Sequence, residues 1–311
     1  MLQELVSRLA KEGYQVRVVS VRRLEDLREA FEGHLNQGLL DEELYRTYLA
    51  GFDFSPPADL PGARSIIVVA VPQPQTRVTF TWDGEQVPFL IPPTYPERVT
   101  NARVRDLLAQ VLAPAGYRVA EAVLPKKLLA VRSGLAAYGR NNISYVPGMG
   151  SFYGLVAVYA DMPAPDDDGW RPAQMMDACR NCRACLRHCP AGAITAERFL
   201  LHAERCLTFH NEKPADVPFA DWIDPAWHHC LVGCLRCQRV CPRNREVRSW
   251  VQEGVAFSAE ETALLLDGVP LDRLPAATLK KLEEVELDSY ADVLPRNLSA
   301  LLESDARAGQ V

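Results

Sequence analysis

Eight of the nine cysteines in this chain fall into two closely spaced runs. The first run, which ends in Cys-Pro, is Cys179-x2-Cys182-x2-Cys185-x3-Cys189. The second run also ends in Cys-Pro and is Cys230-x3-Cys234-x2-Cys237-x3-Cys241. Three thiolates at two-residue spacing can hold one [4Fe–4S] cluster, and the fourth cysteine, before the proline, reaches the other cluster in proteins that contain two. The sequence therefore predicts two [4Fe–4S] clusters and the transfer of one electron at a time.

Zinc and disulfides are the alternative uses of so many cysteines. Structural zinc prefers paired cysteines or Cys/His sets that close one tetrahedron, which a triple run followed by Cys-Pro fits badly. A disulfide framework requires an oxidising compartment, and the amphipathic start of the chain, with Leu2, Leu5 and Leu9 on one helical face, gives no sign of a secretory signal. Iron–sulfur chemistry is thus favoured over both.

Composition narrows the possible partners and location. A net charge of −6 disfavours broad electrostatic binding to nucleic acid, although local basic patches remain possible. No apolar stretch is long enough to span a bilayer, and the longest candidate, 65–72, has the length of a strand. We therefore expect a cytoplasmic protein with no membrane association.

Hydrophobic patterning predicts a mixed N-terminal domain. Helices are expected at 2–12, 23–36, 41–50, 98–113 and 125–133. Strands are expected around 16–21, 65–71, 117–124 and 152–160. Residues 77–91 have the pattern of a hairpin, because Asp83-Gly84 suits a tight primed turn between two extended segments. The fold class is therefore α+β or α/β for this part of the chain.

Three consecutive domains are expected. The first covers 1–165 and ends in a linker at 162–169, which has turn residues, three acids and no apolar periodicity. A bacterial-ferredoxin-like double [4Fe–4S] module at 166–250 follows, and then a short helical C-terminal tail at 251–311. Ser258, with Glu261 three residues later, has the spacing of a helix-capping box.

Several motifs between residues 119 and 248 resemble one family. They are Gly134-Leu-Ala-Ala-Tyr-Gly-Arg-Asn141, Gly150-Ser-Phe152, Glu204-Arg-Cys-Leu-Thr-Phe209 and Gly233-Cys234-x2-Cys237-x3-Cys241-Pro-x-Asn244. In this order they resemble the epoxyqueuosine reductases and, more distantly, the corrinoid-dependent reductive dehalogenases. The resemblance implies a reductive-dehalogenase- or nitroreductase-like fold for the N-terminal domain.

The resemblance also implies which cysteine is spare. Two clusters need eight thiolates, so one of nine cysteines is left over, and the runs taken alone leave out Cys206. In the family the lone middle cysteine is a ligand, which makes Cys230 the spare here. One cluster would then take Cys179, Cys182, Cys185 and Cys241. The other would take Cys189, Cys206, Cys234 and Cys237. The family-based assignment is favoured, and the run-by-run assignment stays open.

A cobalamin cofactor follows from the same resemblance, because 135–151 matches the family's corrinoid-lining segment. Glycines there would let the backbone approach a large flat ligand, and amide or hydroxyl side chains would meet its peripheral amides. The candidate cofactor-binding residues are Gly139, Arg140, Asn141, Asn142, Ser144, Gly150, Ser151 and Thr208. The competing interpretation is that these motifs are only turns between elements.

Departures from the family pattern concern the catalytic groups. The family's catalytic aspartate aligns with Ala120, and Glu121 beside it points to the opposite face of an extended segment. Tyr138 replaces a family isoleucine and becomes a candidate proton donor, as a tyrosine is in reductive dehalogenases. Glu121 and Tyr138 are therefore the catalytic candidates, although Tyr138 could simply pack its ring. These departures, and the short tail in place of a long helical extension, lead us to expect that tRNA is an unlikely partner and that the substrate is unknown.

The resulting expectation is a cobalamin-dependent iron–sulfur reductase. The alternative is a non-catalytic electron-transfer protein or a reductive activator of another corrinoid protein, which the loss of the aspartate favours. The arginines around the cysteines either compensate the negative charge of the clusters or form a docking patch for an electron donor such as a ferredoxin or flavodoxin.

Overall fold

A computed structural model describes residues 1–166 and 168–308, with side chains through 304; Asp167 of the predicted linker and residues 309–311 of the predicted tail lie outside the described residues. The α-helices are α1 Leu2–Lys11, α2 Arg23–Asn36, α3 Glu42–Leu44, α4 Arg98–Leu112, α5 Lys126–Arg132, α6 Ala184–His188, α7 Leu207–Asn211, α8 Arg236–Arg239, α9 Ala259–Leu266, α10 Ala276–Glu284 and α11 Leu294–Ala308. The strands are β1 Gln15–Ser20, β2 Ser65–Pro72, β3 Gln75–Trp82, β4 Glu85–Ile91, β5 Val119–Glu121, β6 Ala137–Tyr138, β7 Ser144–Tyr145, β8 Tyr153–Ala160 and β9 Val251–Phe257.

The chain forms two compact units. Unit 1 comprises Met1–Gln73, Arg98–Arg183 and Ala196–Leu201. Unit 2 comprises Pro74–Glu97, Ala184–Thr195 and His202–Val311. These units are discontinuous in sequence, unlike the three consecutive domains that we expected.

Unit 1 is built on an antiparallel sheet with the strand order β1-β2-β8-β5. Its central strand β2 is buried on both faces, because helices cover both sides of the sheet. Ile67 and Val69 face a core with α1 and α4, whereas Ile66 and Val68 face a second core with α2 and α5. A run of apolar β-branched residues without alternation is what such a strand requires. The predicted α+β fold of this region is confirmed.

The end of the predicted linker is fixed to unit 1. The buried carboxylate of Asp168 accepts hydrogen bonds from Arg23 Nε at 3.1 Å and Arg23 Nη2 at 3.2 Å. The ring of Trp170, two residues later, contacts the guanidinium groups of Arg23 and Arg132, which lie 5.6 and 5.0 Å from its centroid. This part of the chain is thus anchored before the first cysteine.

Unit 2 contains the predicted hairpin. Strands β3 and β4 pair through a turn in which Asp83 and Gly84 have φ values of 50° and 81°, as a primed turn requires. The predicted capping box is also confirmed, because the Ser258 amide donates to Glu261 Oε2 at 2.8 Å and Ser258 Oγ accepts from the Glu261 amide at 3.3 Å.

The expectation of helix throughout the C-terminal region is corrected at β9. Residues Val251–Phe257 form a strand that pairs in parallel with β3, and helices α9, α10 and α11 follow it. Long-range pairing with β3 decides the conformation, which local periodicity does not reveal. The pairing also explains why the hairpin belongs to unit 2.

Gly254 allows a test of this strand. A Cβ added there would lie 2.8 Å from Thr76 Cγ2 and 2.9 Å from the Arg77 carbonyl oxygen, so we expect Gly254→Ala to lower the free energy of unfolding by about 1–3 kcal/mol. Gly33→Ala is the matched control, because Gly33 lies within α2 with no atom within 4 Å of the added carbon, and it should stabilise by about 1 kcal/mol. Urea unfolding of both variants measures the difference. Stabilisation by Gly254→Ala, as expected in a helix, would contradict the packing of β9.

Candidate redox site

Three cysteines of unit 2 are close neighbours. Burial raises the pKa of Cys206, and charge repulsion from Cys189 raises it further. Burial also raises the pKa of Cys234, with further contributions from Cys230 and Cys206. Cys189, Cys206 and Cys234 therefore share one neighbourhood. They are three of the four ligands that the family resemblance assigns to one cluster.

Hydrogen-bond donors surround the sulfur of Cys206, which lies immediately before α7. The amide and hydroxyl of Thr208 and the amide of Phe209 act on this thiol and lower its pKa, against the larger effect of burial. Donors to thiolate ligands stabilise a reduced cluster and so adjust its potential. Thr208, a predicted cofactor-binding residue, is therefore placed beside a candidate cluster ligand.

Cys230 lies beside the same group of thiols. Its side chain is fully buried, and burial raises its pKa to about 12, while Arg239, the Leu235 amide and Arg236 act in the opposite direction. Its backbone forms a parallel bridge with Leu90, and the amide of Leu231 donates to the Leu90 carbonyl at 3.0 Å. Because Cys206 and Cys230 both adjoin Cys234, the identity of the spare cysteine stays a prediction.

The first cysteine run is anchored by Arg140 within unit 1. The Arg140 Nη2 donates to the carbonyl oxygens of Cys179 at 2.7 Å and Arg180 at 3.2 Å, and its Nε donates to that of Cys182 at 3.1 Å. One guanidinium therefore holds the loop that carries two candidate ligands. Cys185, buried in α6, and Cys241, which precedes a 3-10 turn at Pro242–Asn244, are the remaining members of that predicted set.

The predicted corrinoid-lining segment is connected to this loop. The Tyr138 amide donates to the Gln174 carbonyl at 3.0 Å, and the Met176 amide donates to the Tyr138 carbonyl at 2.8 Å. These bonds place 137–140 beside the chain that enters the first cysteine run. Sequence reasoning did not find this connection or the role of Arg140, because neither arises from a local pattern.

The segment itself folds as a small hairpin of β6 and β7. Asn141 is buried, its amide nitrogen donates to Tyr145 Oη at 3.0 Å, and its Oδ1 accepts from the Ile143 amide at 3.4 Å. A Cβ at Gly139 would lie 2.5 Å from Asn141 Oδ1 and from Tyr145 Cε2, so this glycine serves the hairpin's own packing. Asn142, half-buried with a φ of 59°, continues the turn.

Of the remaining candidate residues, Ser144 begins β7 of that hairpin, and Gly150 and Ser151 follow it in the chain. Ser144 and Ser151 are buried, and Ser144 Oγ accepts a hydrogen bond from Tyr153 Oη at 2.7 Å. Gly150 has a φ of 57° and Gly148 a φ of 79°, and no atom lies within 4 Å of an added Cβ at Gly148. Pro147 and Gly148 are exposed, whereas the side chains of Arg140 and Asn141 bind other parts of the protein.

The two catalytic candidates lie on opposite faces of the sheet in unit 1. Glu121 is exposed and its Oε2 accepts from Arg105 Nη1 of α4 at 3.3 Å. Tyr138 belongs to the core on the other face, where its ring meets Phe199 at a centroid distance of 5.1 Å. Ala120 lies in that same core. The alternation of β5 thus directs Glu121 away from Tyr138, and the two cannot act together.

Tyr138 has a second tyrosine as a neighbour. Burial raises the pKa of Tyr138 well above its ordinary value, so its phenol remains protonated at neutral pH. Burial likewise raises the pKa of Tyr153, the Ser144 hydrogen bond opposes this rise, and Tyr138 adds to it. The hydroxyl groups of Tyr138, Tyr153 and Ser144 are therefore neighbours. Tyr153 was not predicted, since a tyrosine in an apolar strand gives no separate signal.

Comparison with known proteins gives three similarities. Residues 178–244 match the family model of the 4Fe-4S double cluster binding domain. Over 249 residues the chain is 28% identical to an epoxyqueuosine reductase of a Synechococcus species, covering 72% of this chain and 71% of that protein. Over 157 residues it is 31% identical to an epoxyqueuosine reductase of Pseudomonas aeruginosa, covering 49% of this chain and 42% of that protein. The match thus spans less than half of the Pseudomonas protein.

Solved structures share the fold over almost the whole chain. The epoxyqueuosine reductase of Streptococcus thermophilus superimposes with a TM-score of 0.67 at 17% identity, covering 98% of this chain and 81% of that one. The chain is similar to the epoxyqueuosine reductases. The resemblance expected from the motifs is confirmed, and so are the two [4Fe–4S] clusters. The similarity to epoxyqueuosine reductases also supports an iron–sulfur reductase with cobalamin as a further cofactor.

The expectation that tRNA is an unlikely partner is wrong. The relatives are named epoxyqueuosine reductases, and one solved epoxyqueuosine reductase contains an epoxyqueuosine-modified tRNA stem loop. That structure has a TM-score of 0.65 and covers 97% of this chain and 81% of that one, at 21% identity. The alanine at position 120 was therefore insufficient ground for excluding tRNA.

Among the described residues, none of the helices combines the length and the apolar character that a bilayer span needs.

The spare thiol can be identified from metal content. Anaerobically purified protein should contain about eight iron and eight sulfide per chain. We expect Cys206→Ser to lower the iron and sulfide content by about half or to make one cluster labile, because Cys206 lies beside Cys189 and Cys234. We expect Cys230→Ser to retain both clusters. Iron and sulfide assays with electron paramagnetic resonance measure the outcome. The reverse pattern would assign Cys230 as the ligand.

Arg140 provides a separate test of the first cysteine run. Arg140→Lys keeps the charge but removes the fork that reaches three carbonyls, so we expect faster loss of iron to a chelator from one cluster. Arg183→Lys is the control, since Arg183 is exposed in the same loop. Equal rates of iron loss in both variants and the parent protein would show that the guanidinium does not position the ligand loop.

Proposed function

We propose that this chain reduces the epoxide of epoxyqueuosine in tRNA, with electrons supplied through the two [4Fe–4S] clusters and with cobalamin as the reactive cofactor. The observation that supports this most directly is the attachment of the predicted corrinoid segment to the first cysteine run. Tyr138 forms a parallel β-bridge with Met175, and Arg140 donates to the carbonyl oxygens of Cys179 and Cys182. A segment that held cobalamin there would adjoin a source of electrons. The solved relative with a modified tRNA stem loop supports the substrate class.

The chemistry sets what the protein must provide. Reductive removal of an epoxide oxygen as water consumes two electrons and two protons. Bound cobalamin would supply a low-valent cobalt nucleophile, and the protein contributes position, potential and a proton source. The candidate cysteines would hold two clusters, which would supply electrons one at a time.

Tyr138 is the proposed proton donor. At the position of the family's catalytic aspartate this chain has Ala120, which cannot hold a proton, and Glu121 lies on the other face of the sheet. Because burial raises the pKa of Tyr138, its hydroxyl carries a proton under all ordinary conditions. Tyr153 Oη and Ser144 Oγ, joined at 2.7 Å, lie beside it and offer a route for replacing that proton.

Ala120 also favours the alternative function. A chain without the family's carboxylate could act as a non-catalytic electron carrier, or as an activator that reduces the corrinoid of another protein. Cobalamin retention by the chain itself distinguishes the two, because a carrier needs no corrinoid of its own.

Turnover of a modified stem loop tests the proposed function. Protein reconstituted with cobalamin should retain it through gel filtration and convert an epoxyqueuosine-containing tRNA stem loop when reduced with dithionite. Tyr138→Phe should lower kcat by about 10²–10⁴-fold, the range typical of losing a general acid, while cobalamin and iron content stay unchanged. Product analysis by mass spectrometry measures the rate.

The matched control is Tyr117→Phe, because Tyr117 packs against the core on the opposite face of the sheet and should leave kcat unchanged. Full activity of Tyr138→Phe would remove Tyr138 from the reaction. Failure of the parent protein to retain cobalamin at micromolar concentration would favour the electron-carrier alternative.

A further inference from the structure

A cavity in unit 2 lies between α6 and α8, two helices that pack against each other. Its volume is about 260 Å³, and its lining residues are His188, His229, Arg236, Arg239 and Val240. None of these carries a negative charge. The cavity therefore presents a basic surface with two imidazole rings.

The lining residues adjoin candidate cluster ligands in the chain. His188 directly precedes Cys189, and Val240 directly precedes Cys241. Arg236 and Arg239 stand on either side of Cys237. The cavity thus borders residues assigned to both clusters. Because electrons cross only short distances through protein, this is a favourable place for them to enter.

Positive charge predominates in the two segments that supply most of the lining residues. Residues 184–195 and 230–250 contain one acidic residue, Glu246. They contain six arginines, which are Arg187, Arg236, Arg239, Arg243, Arg245 and Arg248. The whole chain has a net charge of −6, so this local excess is opposite in sign to the protein as a whole.

Compensation of the clusters' negative charge explains only part of this excess. The guanidinium of Arg236 is held against the backbone, because its Nε donates to the Trp227 carbonyl oxygen at 3.0 Å and its Nη2 to that of Ala226 at 2.8 Å. Arg187, Arg239 and Arg243 are exposed, and within the part of the chain that the structure describes they form no ion pair. Solvent weakens the effect of such exposed charges on a buried cluster and leaves them available to an approaching protein.

We propose that the cavity and its rim, formed by Arg187, Arg236 and Arg239, are the docking face for a small acidic protein that carries one electron. One electron leaves the carrier's redox group and enters a cluster, which gains one negative charge, and no bond or proton moves. This inference rests on the proposed function for the later fate of the electron. Entry of the electron does not require cobalamin or tRNA, so the two proposals can fail separately.

Charge reversal at the rim tests the docking face. The probe is flavodoxin hydroquinone, mixed anaerobically with cluster-containing protein, and stopped-flow absorbance follows cluster reduction at several salt concentrations. Arg239→Glu should weaken flavodoxin binding by about tenfold or more and reduce the dependence of the rate on salt. Reduction by dithionite and the iron content should be unchanged, which shows that the clusters are intact.

Arg273→Glu is the matched control, since it makes the same charge change at an exposed position of unit 2 that does not line the cavity, and its flavodoxin affinity should equal that of the parent protein. If Arg239→Glu loses iron, Arg187→Glu on the α6 side gives the same test. Unchanged flavodoxin affinity in a cluster-containing rim variant would overturn the proposal. So would a loss of affinity confined to the tRNA stem loop, which would identify the rim as a nucleic-acid surface.

Discussion

Ionising several thiols in one protein interior is costly, and the cysteine module depends on how that cost is offset. Burial raises the pKa of Cys206, Cys234 and Cys230. Repulsion from neighbouring thiols adds to the effect at Cys206 and Cys234. Iron offsets it by binding the deprotonated sulfur atoms. The donors of Thr208 and Phe209 contribute less, because burial is the largest influence on Cys206. Helices α7 and α8 have five and four residues, too few to be stable alone, so metal binding and the surrounding core must hold this part of the chain in place.

Arg140 holds the beginning of the first cysteine run, and both lie within unit 1. Its guanidinium donates hydrogen bonds to backbone carbonyls of the first cysteine run rather than to a carboxylate. A lysine could place only a point charge there, whereas the planar fork reaches several acceptors together. The consequence is that the segment predicted to line a corrinoid and the loop predicted to hold a cluster share one set of hydrogen bonds. A change in one is therefore expected to alter the position of the other.

The sequence predicts local features well and long-range ones poorly. The Asp83-Gly84 turn and the buried run in β2 each depend on neighbouring residues, and both predictions agree with the structure. The cysteine spacing is equally local, and its prediction agrees with the match to the 4Fe-4S double cluster binding domain. Strand β9 was missed because its conformation comes from pairing with β3, some 170 residues earlier. The anchoring role of Arg140 was missed for the same reason, since its partners lie about 40 residues away. The exclusion of tRNA failed because single substitutions near a reaction centre do not define the surface that binds a substrate.

In the proposed reaction, Ala120 and Tyr138 mark the main difference from the family pattern. Both lie in the same apolar core, on the face of the sheet opposite Glu121. A carboxylic acid at position 120 would be desolvated there and would keep its proton at higher pH than usual, which suits a proton donor. Alanine removes that group, but the phenol of Tyr138 introduces another protonated group into the same core, beside Tyr153 and Ser144. Its raised pKa makes it a weaker acid than the carboxyl it would replace, so the reaction would require a strongly basic acceptor, such as the alkoxide formed when an epoxide opens.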